Sequence, residues 1–105
     1  MAIDVNALTD AMKAAGVTAF GHTWTNVEKY AVPEFHKIAI QIAAIETGGY
    51  SEPIAKKLLQ MQVESAEDVL IALVDMTIFE IQEAINAVLR AVAGMVNAQL
   101  RFALL

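Results

Sequence analysis

Residues 51–105 read SEPIAKKLLQMQVESAEDVLIALVDMTIFEIQEAINAVLRAVAGMVNAQLRFALL, and this stretch decides the fold. Ser51-Glu52-Pro53 has the features of a helix start. Serine caps, an acid favours the first turn, and proline is tolerated where its missing N–H would be unpaired anyway. After Pro53 there is no further proline, and Gly94 is the one glycine. Ile54, Leu58, Met61, Val69, Leu73, Met76, Ile81, Ile85, Val88, Val92 and Val96 recur at helical spacing. The interruption with a physical basis is Ser65-Ala66-Glu67-Asp68, which resembles a capping box. No Gly, Pro or Asn marks an end before Ser65, so the pattern favours one helix over 52–104, with a break near 64 as the alternative.

A continuous helix of that length would be about 80 Å long at ~1.5 Å per residue. A compact chain of this size has a radius of gyration of only about 13 Å. Such a helix would overhang its own globule and need other surfaces to cover it. Its wet side is narrow. With residues about 100° apart, Asp68, Asp75, Glu83, Asn86, Arg90, Asn97 and Arg101 share one stripe. The rest of the circumference is apolar. Leu70, Ile71, Val74, Ile78, Leu89, Val96 and Leu100 are therefore the expected self-association surface, and Glu83 and Arg90 the expected ion pair between copies.

Before residue 51 the pattern is also helical. A short helix is expected over 4–15, capped by Asp4 or Asn6, with Val5, Leu8 and Met12 on one face and Gly16 as its end. Residues 17–24 read as a loop that Phe20 and Trp24 pin to an apolar surface. Thr25-Asn26-Val27-Glu28 has the form of a capping box for a second helix over 26–47. Pro33 predicts a kink in it, because it removes the bond to the Lys29 carbonyl. Phe35, Ile38, Ile42 and Ile45 form its packing seam. Gly48-Gly49 ends it, and so short a connection sets the next helix antiparallel. The expected fold is one all-α domain. It is a helical hairpin with a short N-terminal helix and a long apolar C-terminal helix, packed in a helical oligomer.

Composition agrees with this. The chain is 57% hydrophobic with a mean hydropathy of +0.51, more apolar surface than a small globule hides by itself. The net charge is −5 and the seven Lys and Arg form no cluster, so nucleic acid is not an expected partner. Cysteine is absent, which excludes disulfide and thiolate chemistry. The opening Met1-Ala2-Ile3-Asp4 shows no basic and apolar leader, so no signal peptide is expected. Location stays open between the cytoplasm and an extracellular or virion assembly reached by a signal-independent route.

Catalytic chemistry has little to rest on. Glu64 with Glu67, and Glu80 with Glu83, are carboxylate pairs on one helix face, with Glu34, His36 and Glu46 on the facing arm. A helical carboxylate metal site uses Glu-x-x-His, and no such spacing occurs. His22 and His36 have no partner at zinc-ligand spacing. No enzyme activity, metal or cofactor is expected. Residues 84–105 are long enough to span a bilayer, yet Asn86, Arg90, Asn97, Gln99 and Arg101 make insertion unfavourable, so a membrane is the less favoured partner. The expected function is structural: a subunit that associates with itself as an oligomer, filament or shell. Coat proteins and secretion-system rod subunits share that architecture. A helical adaptor for a different protein is the alternative, ahead of a carboxylate metal protein.

Overall fold

Asp4 starts the first helix. Its Oδ1 accepts the Ala7 N–H at 3.0 Å, satisfying one of the donors that a helix start leaves free. The computed structural model describes residues 3–105. Helix α1 runs Val5–Phe20, past its expected end. Gly16 is buried inside it, and a Cβ there would come within 2.5 Å of the Trp24 ring. This glycine serves close approach, so tertiary packing overrides its reading as a terminator. The helix stops instead at Gly21, whose φ of 58° costs no Cβ clash.

One 3-10 turn, Gly21–Thr23, leads into α2, Trp24–Gly48. The Thr25–Glu28 capping box does not form. Thr23 holds the cap position, makes no side-chain cap bond, and donates its hydroxyl to the Phe20 carbonyl at 2.6 Å. The reason is burial: Phe20 and Trp24 both enter the core, which draws the helix start back to Trp24. Their rings lie 5.7 Å apart, and Trp24 stacks on Phe35 at 6.2 Å. Helix α2 passes through Pro33 as one element. Pro33 and Lys29 are both exposed, so the carbonyl that loses its partner is on the wet side.

Gly49 closes α2 in the left-handed conformation, φ 68°. Ser51 then sits at the cap of α3, Glu52–Leu73, without a side-chain cap bond. Helix α3 continues through Ser65, and Ala66 is buried within it. The expected helix over 52–104 is not continuous, however. It divides at Val74–Thr77, ten residues beyond the position near 64. Val74 is extended, and Thr77 and Glu80 cap α4, Ile78–Gln99, reciprocally. The Thr77 hydroxyl oxygen accepts the Glu80 N–H at 3.1 Å, and Glu80 Oε1 accepts the Thr77 N–H at 2.9 Å.

Short connections make each helix antiparallel to the one before it, up-down-up-down. Helix α1 packs against α2 and α4, and α3 packs against α2 and, more lightly, α4. The described residues form an all-α helical bundle, with no strand among them. Leu8, Met12, Val27, Phe35, Ile38, Ile42, Leu70, Ile81, Ile85, Val88 and Val96 are fully buried in its core. The seam expected on α2 faces inward. The bundle measures 38 × 22 × 18 Å. Its long dimension equals the length of α2 alone, about 37 Å at ~1.5 Å per residue. The expected overhang is therefore absent.

Two consequences are measurable. Gly16→Ala should lower the urea midpoint. Overpacking against Trp24 costs about 1–3 kcal/mol, against the roughly 0.5–1 kcal/mol that Ala gains over Gly in a helix. A midpoint at or above wild type would show that the ring moves aside freely. Thr77→Ala should cost about 1 kcal/mol through the lost cap. The Thr77 N–H, and then its hydroxyl, hold the Glu80 carboxyl below the usual value of 4.5. The Glu80 contribution is thus complete above pH 4.5 and is lost as pH falls through the lowered folded value. The melting-temperature advantage of wild type over Glu80→Gln should shrink across that acid window.

Candidate functional site

The reversal at Val74–Thr77 redistributes the surface expected from sequence. Leu70 and Val96 lie in the chain's own core, at 0% and 1% exposure, and are not available to another molecule. Folding α4 back beside α1 and α3 covers both. Val74, Leu89 and Leu100 are half-buried and pack against the core. Ile71 and Ile78 are at the surface. Of the expected set, these two are the residues left free for contact.

They do not stand alone. Ile71, Leu73, Ile78 and Phe79 are 38%, 52%, 56% and 64% exposed. All four flank the α3–α4 reversal, at the end of the bundle that also holds the 3-10 turn. Leu73 and Met76 line a shallow cleft with Thr23, Asn26 and Tyr30 of the α2 start. Phe79 was outside the expected set, though its signal is legible. On the helical wheel it falls in the polar stripe with Glu83, Asn86 and Arg90. A large aromatic in an otherwise wet stripe is exposed by the same geometry that keeps the stripe wet.

Glu83 and Arg90 are both exposed on α4. They share a cleft of about 410 Å³ with Phe20, His22, Met76 and Glu80. Neither enters an ion pair among the described residues, where Lys37–Glu34 at 3.1 Å and Lys56–Glu52 at 3.7 Å are the pairs formed. This end is acidic. Glu67, Asp68, Asp75, Glu80 and Glu83 lie toward it, against two bases: Arg90, in the cleft with Glu80 and Glu83, and Lys29, its Nζ 5.1 Å from the Tyr30 ring centre.

The facing carboxylates and histidine serve separate contacts. Glu34 is 4% exposed; its Oε2 accepts from Lys37, and its Oε1 has no hydrogen-bond partner among the described residues. His36 Nδ1 is 3.3 Å from the Thr9 hydroxyl. Glu46 Oε1 accepts the Ile3 N–H at 2.7 Å. Among the described residues, no group of three or more His, Asp or Glu side chains comes together as a metal site. No helix among them is long and apolar enough to cross a membrane.

The opposite end is built differently. Asn97 Oδ1 accepts the N–H groups of Leu104 at 2.9 Å and Leu105 at 3.1 Å, and its Nδ2 donates to the Leu105 carbonyl. This clasp folds residues 100–105 back and buries Leu104. Between the folded-back segment and the end of α2 lies a cleft of about 240 Å³, lined by Ile45, Thr47, Tyr50, Leu100, Arg101 and Phe102 among others. Comparison with family models, curated proteins and solved structures finds no match to this chain.

Burial raises the Glu67 carboxyl above 4.5, and the neighbouring charges of Glu64 and Asp68 push it further in the same direction. The folded state then holds this proton more tightly than the unfolded chain. Stability falls as pH rises from 4.5 through the raised value. Glu67→Gln should accordingly melt higher than wild type at neutral pH, and the difference should close below pH 4.5. Equal melting temperatures at neutral pH would show that solvent relieves the cluster.

Proposed function

We propose that this chain is a structural subunit that associates with copies of itself. The observation that carries the reading is the exposed apolar group Ile71, Leu73, Ile78 and Phe79 around one chain reversal. Scattered apolar residues are normal on a soluble protein, but several gathered at one chain reversal among polar side chains point to an interaction surface. The rim here is Asp68, Asp75, Glu80 and Glu83. The overhanging helix no longer supports self-association, because the bundle is only 38 Å long. The support comes from where the remaining apolar side chains gather. The core is closed without them, so their composition answers to something outside the monomer.

Full burial of each such side chain stabilises by roughly 1.5–3 kcal/mol, and association must exceed the cost of lost translational freedom. Sedimentation or light scattering at high micromolar concentration, in buffer without detergent, should give a mass above the 11.3 kDa of one chain. Phe79→Asp should weaken association at least about tenfold, the factor for ~1.4 kcal/mol, while leaving the melting temperature nearly unchanged at concentrations low enough that wild type is dissociated, because the residue is outside the core. A monodisperse wild-type monomer under those conditions overturns the reading.

A further inference from the structure

The two ends of the bundle are unlike, and their differences are complementary. One end presents exposed Phe79 and Ile78 with the carboxylates of Asp75, Glu80 and Glu83 beside them. The other presents the cleft of about 240 Å³ between the end of α2 and the folded-back residues 100–102. Ile45 in its lining is buried, and Leu100 and Phe102 are half-buried, so part of the cleft is apolar. Arg101 in the lining is exposed and makes no ion pair among the described residues. Glu46, the acid in that lining, is already engaged by the Ile3 N–H.

We propose that Phe79 of one copy seats in this cleft on the next copy, with Glu83 meeting Arg101, in a head-to-tail contact. This rests on the self-association reading and names the partner surface. Phe79 and Glu83 are four residues apart on α4, so ring and carboxylate project from one face together. An apolar cavity of about 150 Å³ admits benzene, and the cleft exceeds that volume. Charge selects the arrangement. Facing two acidic ends would crowd Asp75, Glu80 and Glu83 against their counterparts, which like-charge juxtaposition penalises. Facing the acidic end with the Arg101 cleft instead gives Glu83 an opposite charge. A contact between two different patches leaves a free copy of each at the ends of the pair. It therefore repeats, as a ring if the rotation closes and as a filament if it does not.

Mixing two full-length variants tests the contact. Phe79→Asp removes the knob and keeps the cleft. Thr47→Trp fills the cleft mouth from an exposed position and keeps the knob. Circular dichroism melts first establish that both variants fold. Each alone should sediment as a monomer, and an equimolar mixture should give one-to-one dimers of twice the monomer mass. Association of Thr47→Trp at wild-type strength, or a mixture that stays monomeric, overturns the head-to-tail contact while leaving self-association in place. A monomeric wild type overturns both. As an independent arm, Glu83→Arg and Arg101→Glu should each weaken association about tenfold, and the two together in one chain should restore it. A double variant as weak as the product of the singles also overturns the pairing.

Discussion

Thr77 and Glu80 exchange hydrogen bonds across the first turn of α4, and that exchange turns an apolar run into two helices. A helix start leaves four N–H groups without intrahelical partners. The reciprocal bonds answer two of these needs at once, so an end and a new beginning cost little at this point. Everything larger follows from the turn. With α4 folded back, Leu70 and Val96 face the core. The molecule shortens from an expected rod of about 80 Å to a bundle 38 Å long. The α3–α4 corner comes to lie beside the α1–α2 corner.

That turn was written in the sequence as Thr77-Ile78-Phe79-Glu80, the same signal that Thr25-Asn26-Val27-Glu28 and Ser65-Ala66-Glu67-Asp68 carry. Three similar signals competed, and only the structure separates them. Ser65 is followed by Ala66, which the core takes in whole, and the flanking Leu59 and Leu70 hold α3 straight through it. Thr25 loses because Phe20 and Trp24 must both be buried, which sets the start of α2 before it. Only at Thr77 does nothing in the core oppose the local preference. The α2 seam and its Gly48-Gly49 end were legible because a periodic pattern and a left-handed glycine point the same way. Gly16 was misread because its use is space for an indole, and space for a distant residue leaves no local trace. Exposure was partly legible. Ile71 and Ile78 are exposed as the wheel has them, but the burial of Leu70 and Val96 depends on the chain reversing at Val74–Thr77.

The two ends illustrate how polar residues shape apolar surface. At one end the capping bonds at Thr77 fix the corner and leave Ile78 and Phe79 on its outside. At the other, Asn97 uses its oxygen and its amide nitrogen to hold residues 104 and 105, and that clasp positions Leu100 and Phe102 against the end of α2. An amide suits this task because it accepts and donates from one planar group. A hydrophobic residue at 97 would leave the Leu104 N–H and the Leu105 carbonyl to water and release the wall of the cleft. The exposed corner and the opposite cleft are each shaped by side-chain hydrogen bonds a few residues away.

Several apolar residues stay outside a bundle that has already closed its core. A chain of this length buries a smaller share of its surface than a larger domain. The sequence is nevertheless 57% hydrophobic, so some apolar residues must be left over. Were the surplus merely statistical, it would be spread over every outward face. Some of it is spread: Val17, Ile40, Met61 and Met95 are exposed singly on different helices. The Ile71, Leu73, Ile78 and Phe79 group differs because two helix ends place it at one corner, where carboxylates outnumber the bases Arg90 and Lys29. Like charges placed opposite one another repel, so a rim of this kind disfavours a second identical corner. The physical chemistry of the corner, apolar side chains within a mostly acidic rim, follows from the turn that creates it.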